Sequence, residues 1–251
     1  MDDAGLQKLA LLGYGHFTSM RVDNGFVRGL GLHLDRLVRD CATVFGMPLD
    51  RGRVLERVRE AADGRPGSWI ARVTVFDPHL DVGRPADNGH PAIAVTGRKA
   101  PALPVAPIRV APVRYVRDFP AVKHVGLFGA LHVRRQAQLA GAGDALLHDG
   151  DGVVSEGPTW NVGFIRDDRV WWPDAAVLPG VTMSLLQGGG PDQVTTRITL
   201  RDVRRAEAAF ATNAAVGVRS ISAVGDTELP TGHPVLDMLR KSYLADVGEE
   251  L

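Results

Sequence analysis

Short turn sequences that join pairs of β-forming runs constrain the fold of this chain more than any other feature. Asp23-Asn24-Gly25 lies between two such runs over 18–30, which is a strong hairpin signal. The segments 144–157 and 161–173 each repeat the order strand, turn, strand, the second with Asp167-Asp168 in its turn. Strand pairs of this kind, separated by helical patterns, predict an α+β fold. Buried strands are also predicted at 68–78 and 92–97.

Helical patterns lie between these strand pairs. Over 32–46 the apolar residues from Leu34 to Phe45 recur at helical spacing and mark one face, and Gly46 can end the helix. Another helix is predicted to follow residues 178–182. The remaining predicted helices cover about 126–141, about 201–212 and 234–246.

The proline-rich segment 97–107 divides the chain. Its three prolines disfavour regular structure, so it is the best candidate for a linker. The sequence therefore predicts two lobes. A small N-terminal α/β lobe covers 1–98, a linker covers 99–107, and a larger C-terminal lobe covers 108–251 and carries Lys123.

The charge balance and the cysteine content exclude several classes of protein. The 29 basic residues balance the 29 acidic ones, so no net field favours nucleic acid or an anionic membrane. No apolar run approaches the roughly 20 residues needed to span a bilayer. The single cysteine, Cys41, cannot form an internal disulfide, and the eight histidines show no metal-ligand spacing. We expect a cytoplasmic protein without a metal site.

Lys123 occupies an unusual place in a chain that prefers arginine. Arginine fills 25 of the 29 basic positions, and Lys8, Lys99 and Lys241 lie in polar surroundings. Lys123 instead follows the apolar stretch 119–122 and precedes another apolar run. Apolar surroundings lower the pKa of a lysine, and a neutral lysine amine can form an imine with an aldehyde, which arginine cannot. Taken alone, the position also suits a lysine whose stem packs on apolar neighbours while its amine reaches water.

Enzymes that use pyridoxal phosphate combine such a lysine with a set of other groups. A carboxylate keeps the pyridine nitrogen protonated, backbone donors at a helix start and an arginine hold the phosphate, and an apolar residue presses on the ring. Blocks that could supply these groups follow one another in this sequence. They are "GYGHFTSMRV" (13–22), "HLDRL" (33–37), "VKHVGLF" (122–128), "GDGVVSEGPTWNVGF" (150–164), "LPGVT" (178–182) and "TNAAVGVRSI" (212–221).

In this order the blocks resemble the class IV aminotransferases, the fold type IV group of pyridoxal phosphate enzymes. That group includes branched-chain and D-amino-acid aminotransferases and aminodeoxychorismate lyase. The resemblance implies a two-lobed fold type IV architecture, a homodimer, and pyridoxal 5'-phosphate as cofactor. Lys123 would form the aldimine with the cofactor, and Glu156, 33 positions later, would contact the pyridine nitrogen. The other implied cofactor contacts are Arg36, Val181 and Thr182 at the phosphate, Leu178 against the ring, and Asn213, Ala214 and Ala215 in a later phosphate loop.

The resemblance leaves the reaction open. An aminotransferase would move an amino group between an amino acid or amine and a keto acid. The sequence Phe17-Thr18-Ser19 and the Lys123-His124 pair resemble aminodeoxychorismate lyase instead, which releases pyruvate by β-elimination with help from a hydroxyl. Thr18 and Ser19 are therefore the candidate catalytic hydroxyls. Phe128 replaces a tyrosine of the branched-chain enzymes and disfavours that subgroup.

A third hypothesis is that the chain is a degenerate family member that binds a partner without catalysis. Retention of Lys123, Glu156, Arg36 and the phosphate loop disfavours it, because a binding protein has no use for all four.

Overall fold

The computed structural model describes residues 3–87 and 89–251, which form two compact units. The first unit contains the chain up to Ala100 together with Val122–Leu127 and Val247–Leu251. The second contains Pro101–Ala121 and Phe128–Asp246. Among the described residues, every helix falls short of the length and hydropathy needed to cross a membrane.

The first unit is built on a five-stranded antiparallel sheet. Its elements are α1 (Asp3–Leu12), β1 (His16–Asp23), β2 (Phe26–Val27), α2 (Leu30–Phe45), α3 (Arg51–Ala62), β3 (Ser68–Phe76), β4 (Ala92–Lys99) and β14 (Glu249–Glu250). The strands follow the order β14-β2-β1-β3-β4. The buried core lies where α2 and α3 pack on this sheet, around Met20, Leu37 and Val73.

Several elements of this unit agree with the predictions from local sequence signals. Asn24 and Gly25 both have positive φ and make the two-residue turn between β1 and β2, as the hairpin signal predicted. The predicted helix at 32–46 is α2, and it ends where Gly46 adopts a left-handed conformation and donates its N–H to the Ala42 carbonyl. The strands predicted at 68–78 and 92–97 are β3 and β4.

The second unit contains a nine-stranded mixed sheet. Its elements are β5 (Ile108–Arg114), α4 (Phe128–Leu139), β6 (Asp144–His148), β7 (Glu156–Gly157), β8 (Trp160–Arg166), β9 (Arg169–Pro173), α5 (Val181–Gln187), β10 (Gln193–Thr196), a 3-10 turn (Asp202–Arg205), β11 (Ala208–Asn213), β12 (Gly217–Val224), β13 (Thr227–Glu228) and α6 (Pro234–Ala245). The main path of the sheet runs β10-β9-β8-β11-β12-β5-β6, with β7 paired to β8 and β13 to β12. Helix α4 packs on β5 and β6, and α5 and α6 pack near β11 and β12.

The helix predicted over about 201–212 is wrong. Only the short turn Asp202–Arg205 is helical, and Ala208–Asn213 forms β11 between β8 and β12. The alanine-rich segment has good helix propensity, but its residues are almost all buried between two partner strands. Tertiary pairing therefore overrides local propensity here.

The position of Lys123 differs from the predicted lobes. Residues 122–127 belong to the first unit rather than to a C-terminal lobe running from 108 to 251. The reason is backbone pairing along the free edge of β1: Phe17 donates its N–H to the Lys123 carbonyl at 2.8 Å, and Val125 donates to the Gly15 carbonyl at 2.9 Å. The lysine segment thus extends the first unit's sheet.

Candidate active site

The main chain of Lys123 is held on both sides within the first unit. Its N–H donates to Oδ2 of Asp40 at 3.0 Å, and its carbonyl accepts from the N–H of Phe17. Asp40 lies on α2 and is completely buried. A strand edge and a helix therefore fix the backbone from which the lysine side chain extends.

The Lys123 amine lies beside the aromatic ring of Phe17. Nζ is 4.9 Å from the ring centroid, and the guanidinium carbon of Arg72 is 3.7 Å from the same centroid. Arg72 stands opposite Ser19 in the pairing of β1 with β3. Because side chains alternate along a strand, Phe17 and Ser19 share one face of β1 with Arg72. Ser19 is thus on the face that carries the lysine amine.

Thr18 points to the other face of β1, where α2 packs. Its hydroxyl is fully buried, lies 2.7 Å from Nδ1 of His33, and accepts a hydrogen bond from Nη2 of Arg36. Nη2 also lies 3.3 Å from His33 Nδ1. Of the two predicted catalytic hydroxyls, that of Thr18 is hydrogen-bonded within this cluster, whereas that of Ser19 lies on the opposite face of β1.

Burial shapes the electrostatics of the same cluster. Desolvation lowers the pKa of Arg36 to about 10, against a smaller opposing effect from Asp40. Desolvation, together with the charges of Arg36 and Lys123, holds the pKa of His33 well below its usual range. His16, also buried, has its pKa lowered to about 4 by desolvation. Both histidine rings are therefore neutral at pH 7.

Glu156 is held in the second unit by three donors. One oxygen accepts from Nη1 of Arg117 at 3.1 Å, and the other accepts from Nδ2 of Asn161 and the N–H of Leu178, each at 3.3 Å. The side chains of Glu156 and Arg117 are only 4% and 9% exposed. The carboxylate is thus a buried, ion-paired group, and Arg117 is a partner that the sequence did not indicate.

Asn161 connects Glu156 to the start of α5. Its Nδ2 also donates to the Leu178 carbonyl at 2.8 Å, and its Oδ1 lies so close to Gly180 that a Cβ there would be 2.0 Å away. Gly180 precedes Val181, the first residue of α5, and Thr182 is almost fully buried. Since the first N–H groups of a helix have no intrahelical acceptor, Val181 and Thr182 can donate to an anion.

The segment predicted to be the later phosphate loop joins β11 to β12. Asn213 makes this turn itself: its Oδ1 accepts from the N–H groups of Ala215 and Val216 at 2.9 and 3.1 Å, and its Nδ2 donates to the Thr159 carbonyl. Ala214 lies within this turn, so the residues predicted for the loop are together in the second unit. Thr212, paired with Asn161 across the strands, carries a buried hydroxyl with no hydrogen-bond partner among the described residues, a feature that the sequence did not indicate.

Phe128 begins α4 and is 85% exposed. Its ring stacks on that of His132, with 6.0 Å between the ring centroids.

Outside the candidate site, Asp168, Glu207 and His233 have potential metal-ligand atoms within 4.8 Å of one another. His233 Nδ1 accepts the N–H of Val235 at the start of α6 and therefore lacks a proton in the neutral ring. The hydrogen is then on Nε2, 3.4 Å from Glu207, so this nitrogen is a donor to carboxylates rather than a metal ligand.

Each unit contains groups whose chemistry suits one part of a phosphorylated pyridine. Within the described part of the chain, the buried Nε of Arg36 has no hydrogen-bond partner, which suits a phosphate oxygen. Glu156 is a buried carboxylate, the type of group that can keep a ring nitrogen protonated, and Gly180 leaves the start of α5 free of a side chain.

Comparison with known proteins identifies the family of this chain and several relatives. Residues 15–224 match the family described as amino-transferase class IV. A branched-chain-amino-acid aminotransferase of Pseudomonas aeruginosa is 33% identical over 116 residues, which is 43% of this chain and 38% of that enzyme. The aligned part thus spans well under half of that enzyme. This similarity runs against the expectation from Phe128 that the branched-chain subgroup is disfavoured.

Solved structures share the fold. A Mycobacterium tuberculosis protein described as a hypothetical aminotransferase, solved in its PLP-bound form, superposes with a TM-score of 0.79 at 19% identity, covering 95% of this chain and 92% of that one. A Legionella pneumophila protein provisionally named 4-amino-4-deoxychorismate lyase gives 0.81 at 22% identity, with 95% and 93% covered. At these identities the likeness establishes the fold, which confirms the predicted fold type IV architecture.

Proposed function

Because the chain belongs to the class IV aminotransferase family, we propose that it is a pyridoxal-phosphate-dependent aminotransferase acting between an amino acid or amine and a keto acid. The observation that carries this proposal is the setting of Lys123, whose backbone is held by Asp40 and Phe17 and whose amine lies beside an aromatic ring. The Mycobacterium tuberculosis protein, solved in its PLP-bound form, supports the choice of cofactor. When bound, that cofactor supplies an aldehyde for amines and a ring that accepts an electron pair.

Each predicted residue has a separate task in the proposal. Nζ of Lys123 would hold the cofactor and, when free, would accept the substrate's α proton and return it. Glu156, a buried carboxylate, would keep a proton on the ring nitrogen. The phosphate would be held by Arg36, by the N–H groups of Val181 and Thr182 and by the Asn213–Ala215 turn, and Leu178 would press on the ring.

A lyase is the second candidate. Ser19 and the Lys123 amine lie on the face of β1 that bears Phe17, which makes Ser19 the candidate hydroxyl for proton transfer in a β-elimination. The fold likeness to the Legionella protein is compatible with this reaction. Both reactions use the same lysine and differ in whether a keto acid is consumed.

A panel of amino donors separates these reactions. Purified protein should be yellow, and donor alone should convert the cofactor to its amine form, which a keto acid then reverses. Pyruvate release from aminodeoxychorismate without a keto acid would establish the lyase instead. Lys123→Ala should abolish either reaction, whereas Lys99→Ala, at an exposed position, should not. A colourless protein that takes up no cofactor would support the hypothesis of a family member that binds a partner without catalysis.

Family membership also favours a homodimer. Light scattering of the eluted protein should give twice the 26.9 kDa mass of one chain. A single-chain mass at micromolar concentration would contradict this part of the proposal.

A further inference from the structure

Arg36 and Asp40 lie one turn apart on α2, both buried, yet they do not pair. No hydrogen bond or ion pair joins them among the described residues. Asp40 instead accepts from Arg39 at 2.9 Å through Oδ1 and from the Lys123 N–H at 3.0 Å through Oδ2. Opposite charges four residues apart on a helix ordinarily attract, and burial strengthens that attraction. Another contact must therefore hold the Arg36 guanidinium away from Asp40.

Thr18 and His33 provide that contact, and the donors of Arg36 assign the hydrogen of the His33 ring to Nε2, which is buried and has no partner among the described residues. Arginine only donates, so the His33 Nδ1 that faces Nη2 of Arg36 carries a lone pair. The ring hydrogen is then on Nε2. The Thr18 hydroxyl accepts from Arg36 and donates to His33 Nδ1 at 2.7 Å. A neutral His33, which burial and the two nearby cations maintain, is thus a permanent acceptor rather than a base.

We propose that Thr18 and His33 are positioning residues that hold Arg36 off Asp40 and keep its Nε available to a phosphate group. The identity of that phosphate as part of pyridoxal phosphate rests on the proposed function. Without the two acceptors, Arg36 would turn to Asp40, and Asp40 would have to share its oxygens with the guanidinium as well as with the lysine N–H. Thr18 then acts through Arg36, and Ser19 is left as the hydroxyl on the lysine face.

Matched substitutions test this role on the full chain. Thr18→Val removes the hydroxyl at nearly constant volume, and Thr18→Ser keeps it. His33→Leu removes the acceptor, and His33→Asn keeps an oxygen near the place of Nδ1. Affinities of cofactor-free protein for inorganic phosphate, pyridoxal phosphate and pyridoxal are measured by titration, and thermal unfolding shows that each variant is folded.

The expected pattern is specific to phosphate. Thr18→Val and His33→Leu should weaken binding of inorganic phosphate and pyridoxal phosphate at least tenfold and leave pyridoxal binding within twofold. Thr18→Ser and His33→Asn should restore phosphate binding to within threefold of the original protein. Unchanged phosphate affinity in Thr18→Val or His33→Leu would overturn the proposal. An equal loss of pyridoxal would also overturn it, because that would indicate a merely structural cluster.

Nitrogen-15 spectra of His33 give a second readout. The ring should be neutral with its hydrogen on Nε2 from pH 6 to 8, and a charged ring or the Nδ1–H tautomer at pH 7 would overturn the proposal. Failure of the proposed function looks different: Lys123 would capture neither pyridoxal nor pyridoxal phosphate, while inorganic phosphate would still bind in the manner described.

Discussion

The two units differ in how far the charged groups predicted to bind the cofactor already have hydrogen-bond partners. In the second unit, Glu156 already has three donors, from Arg117, Asn161 and Leu178. In the first unit, Arg36 keeps a buried Nε that has no partner among the described residues, and it does not bond Asp40 there. One unit presents an anion whose partners are in place, and the other presents a cation whose set of partners is incomplete.

This difference follows from how the two charges tolerate burial. A buried carboxylate without donors takes up a proton, so a carboxylate that must stay charged needs its partners in place beforehand. Arg36 keeps its charge at neutral pH even with a pKa of about 10, so its Nε can stay without a partner until an anion binds. We therefore expect the second unit to respond most to substitution of its own residues, and the first to respond most to ligand and pH.

The largest expected effect on stability comes from removing the partner of Glu156. Arg117→Met leaves a buried carboxylate without its cation and should cost about 3–5 kcal/mol of unfolding free energy. Denaturant titration measures this loss. Arg57→Met, which breaks the exposed pair with Glu60, should cost less than about 1 kcal/mol.

A double variant sharpens this prediction. Arg117→Met with Glu156→Gln removes the buried charge as well and should recover a large part of the stability. A loss below about 1 kcal/mol in Arg117→Met alone, on the scale of an exposed pair, would show that the two units do not differ as described.

Next in size is the effect of neutralising Glu156 on catalysis. Glu156→Gln should lower kcat at least about 100-fold, because an amide does not hold a proton on a ring nitrogen as a carboxylate does. Steady-state kinetics with a saturating donor measures the change. Glu228→Gln, at an exposed carboxylate that pairs with Arg109, should leave kcat unchanged. Equal rates for Glu156→Gln and the original protein would remove Glu156 from the proposed site.

Gly180 should tolerate substitution poorly. An alanine Cβ there would lie 2.0 Å from Asn161 Oδ1, so Asn161 must move and weaken its bonds to Glu156 and Leu178. Gly180→Ala should cost on the order of 2 kcal/mol of unfolding free energy. Gly189→Ala, where a Cβ meets open space, is the control, and equal stability of the two variants would contradict the prediction.

The smallest effect concerns pH and the first unit. His16 has its pKa lowered from 6.5 to about 4, so the unfolded chain binds more protons between these values. The stability that neutral His16 supports is fully present above pH 6.5 and is lost as the pH falls towards 4. From pH 7 to 5.5 this loss should be roughly 1 kcal/mol.

Denaturant titrations at both pH values should therefore show a shallower pH dependence for His16→Leu than for the original protein. Parallel pH profiles would mean that His16 is not the neutral buried group described here.

The sequence predicted the elements that local backbone conformation determines. It did not predict the elements that depend on long-range strand pairing. Asn24-Gly25 and Gly46 act through their own backbone conformations, so the hairpin and the end of α2 could be predicted. The segment 208–213 is a strand because β8 and β12 flank it, which its alanines do not reveal. The lysine segment belongs to the first unit because of long-range pairing with β1, and composition gave no signal of that.

The same division applies to the site. Motif order indicated Lys123, Glu156 and Arg36, but not Arg117, whose role depends on a contact 39 residues away. His33 stood in a recognised block, and its spacing of three from Arg36 could have placed both on one helical face. Thr18 and Ser19 were equivalent in sequence, and only the faces of β1 separate them.

The most direct test of the central claim is to find which lysine carries the cofactor. The protein is incubated with pyridoxal phosphate, reduced with borohydride, digested, and mapped by mass spectrometry. We predict one pyridoxyl group on Lys123 and a loss of labelling in Lys123→Ala. Labelling confined to Lys8, Lys99 or Lys241, or no stable labelling at all, would contradict the account.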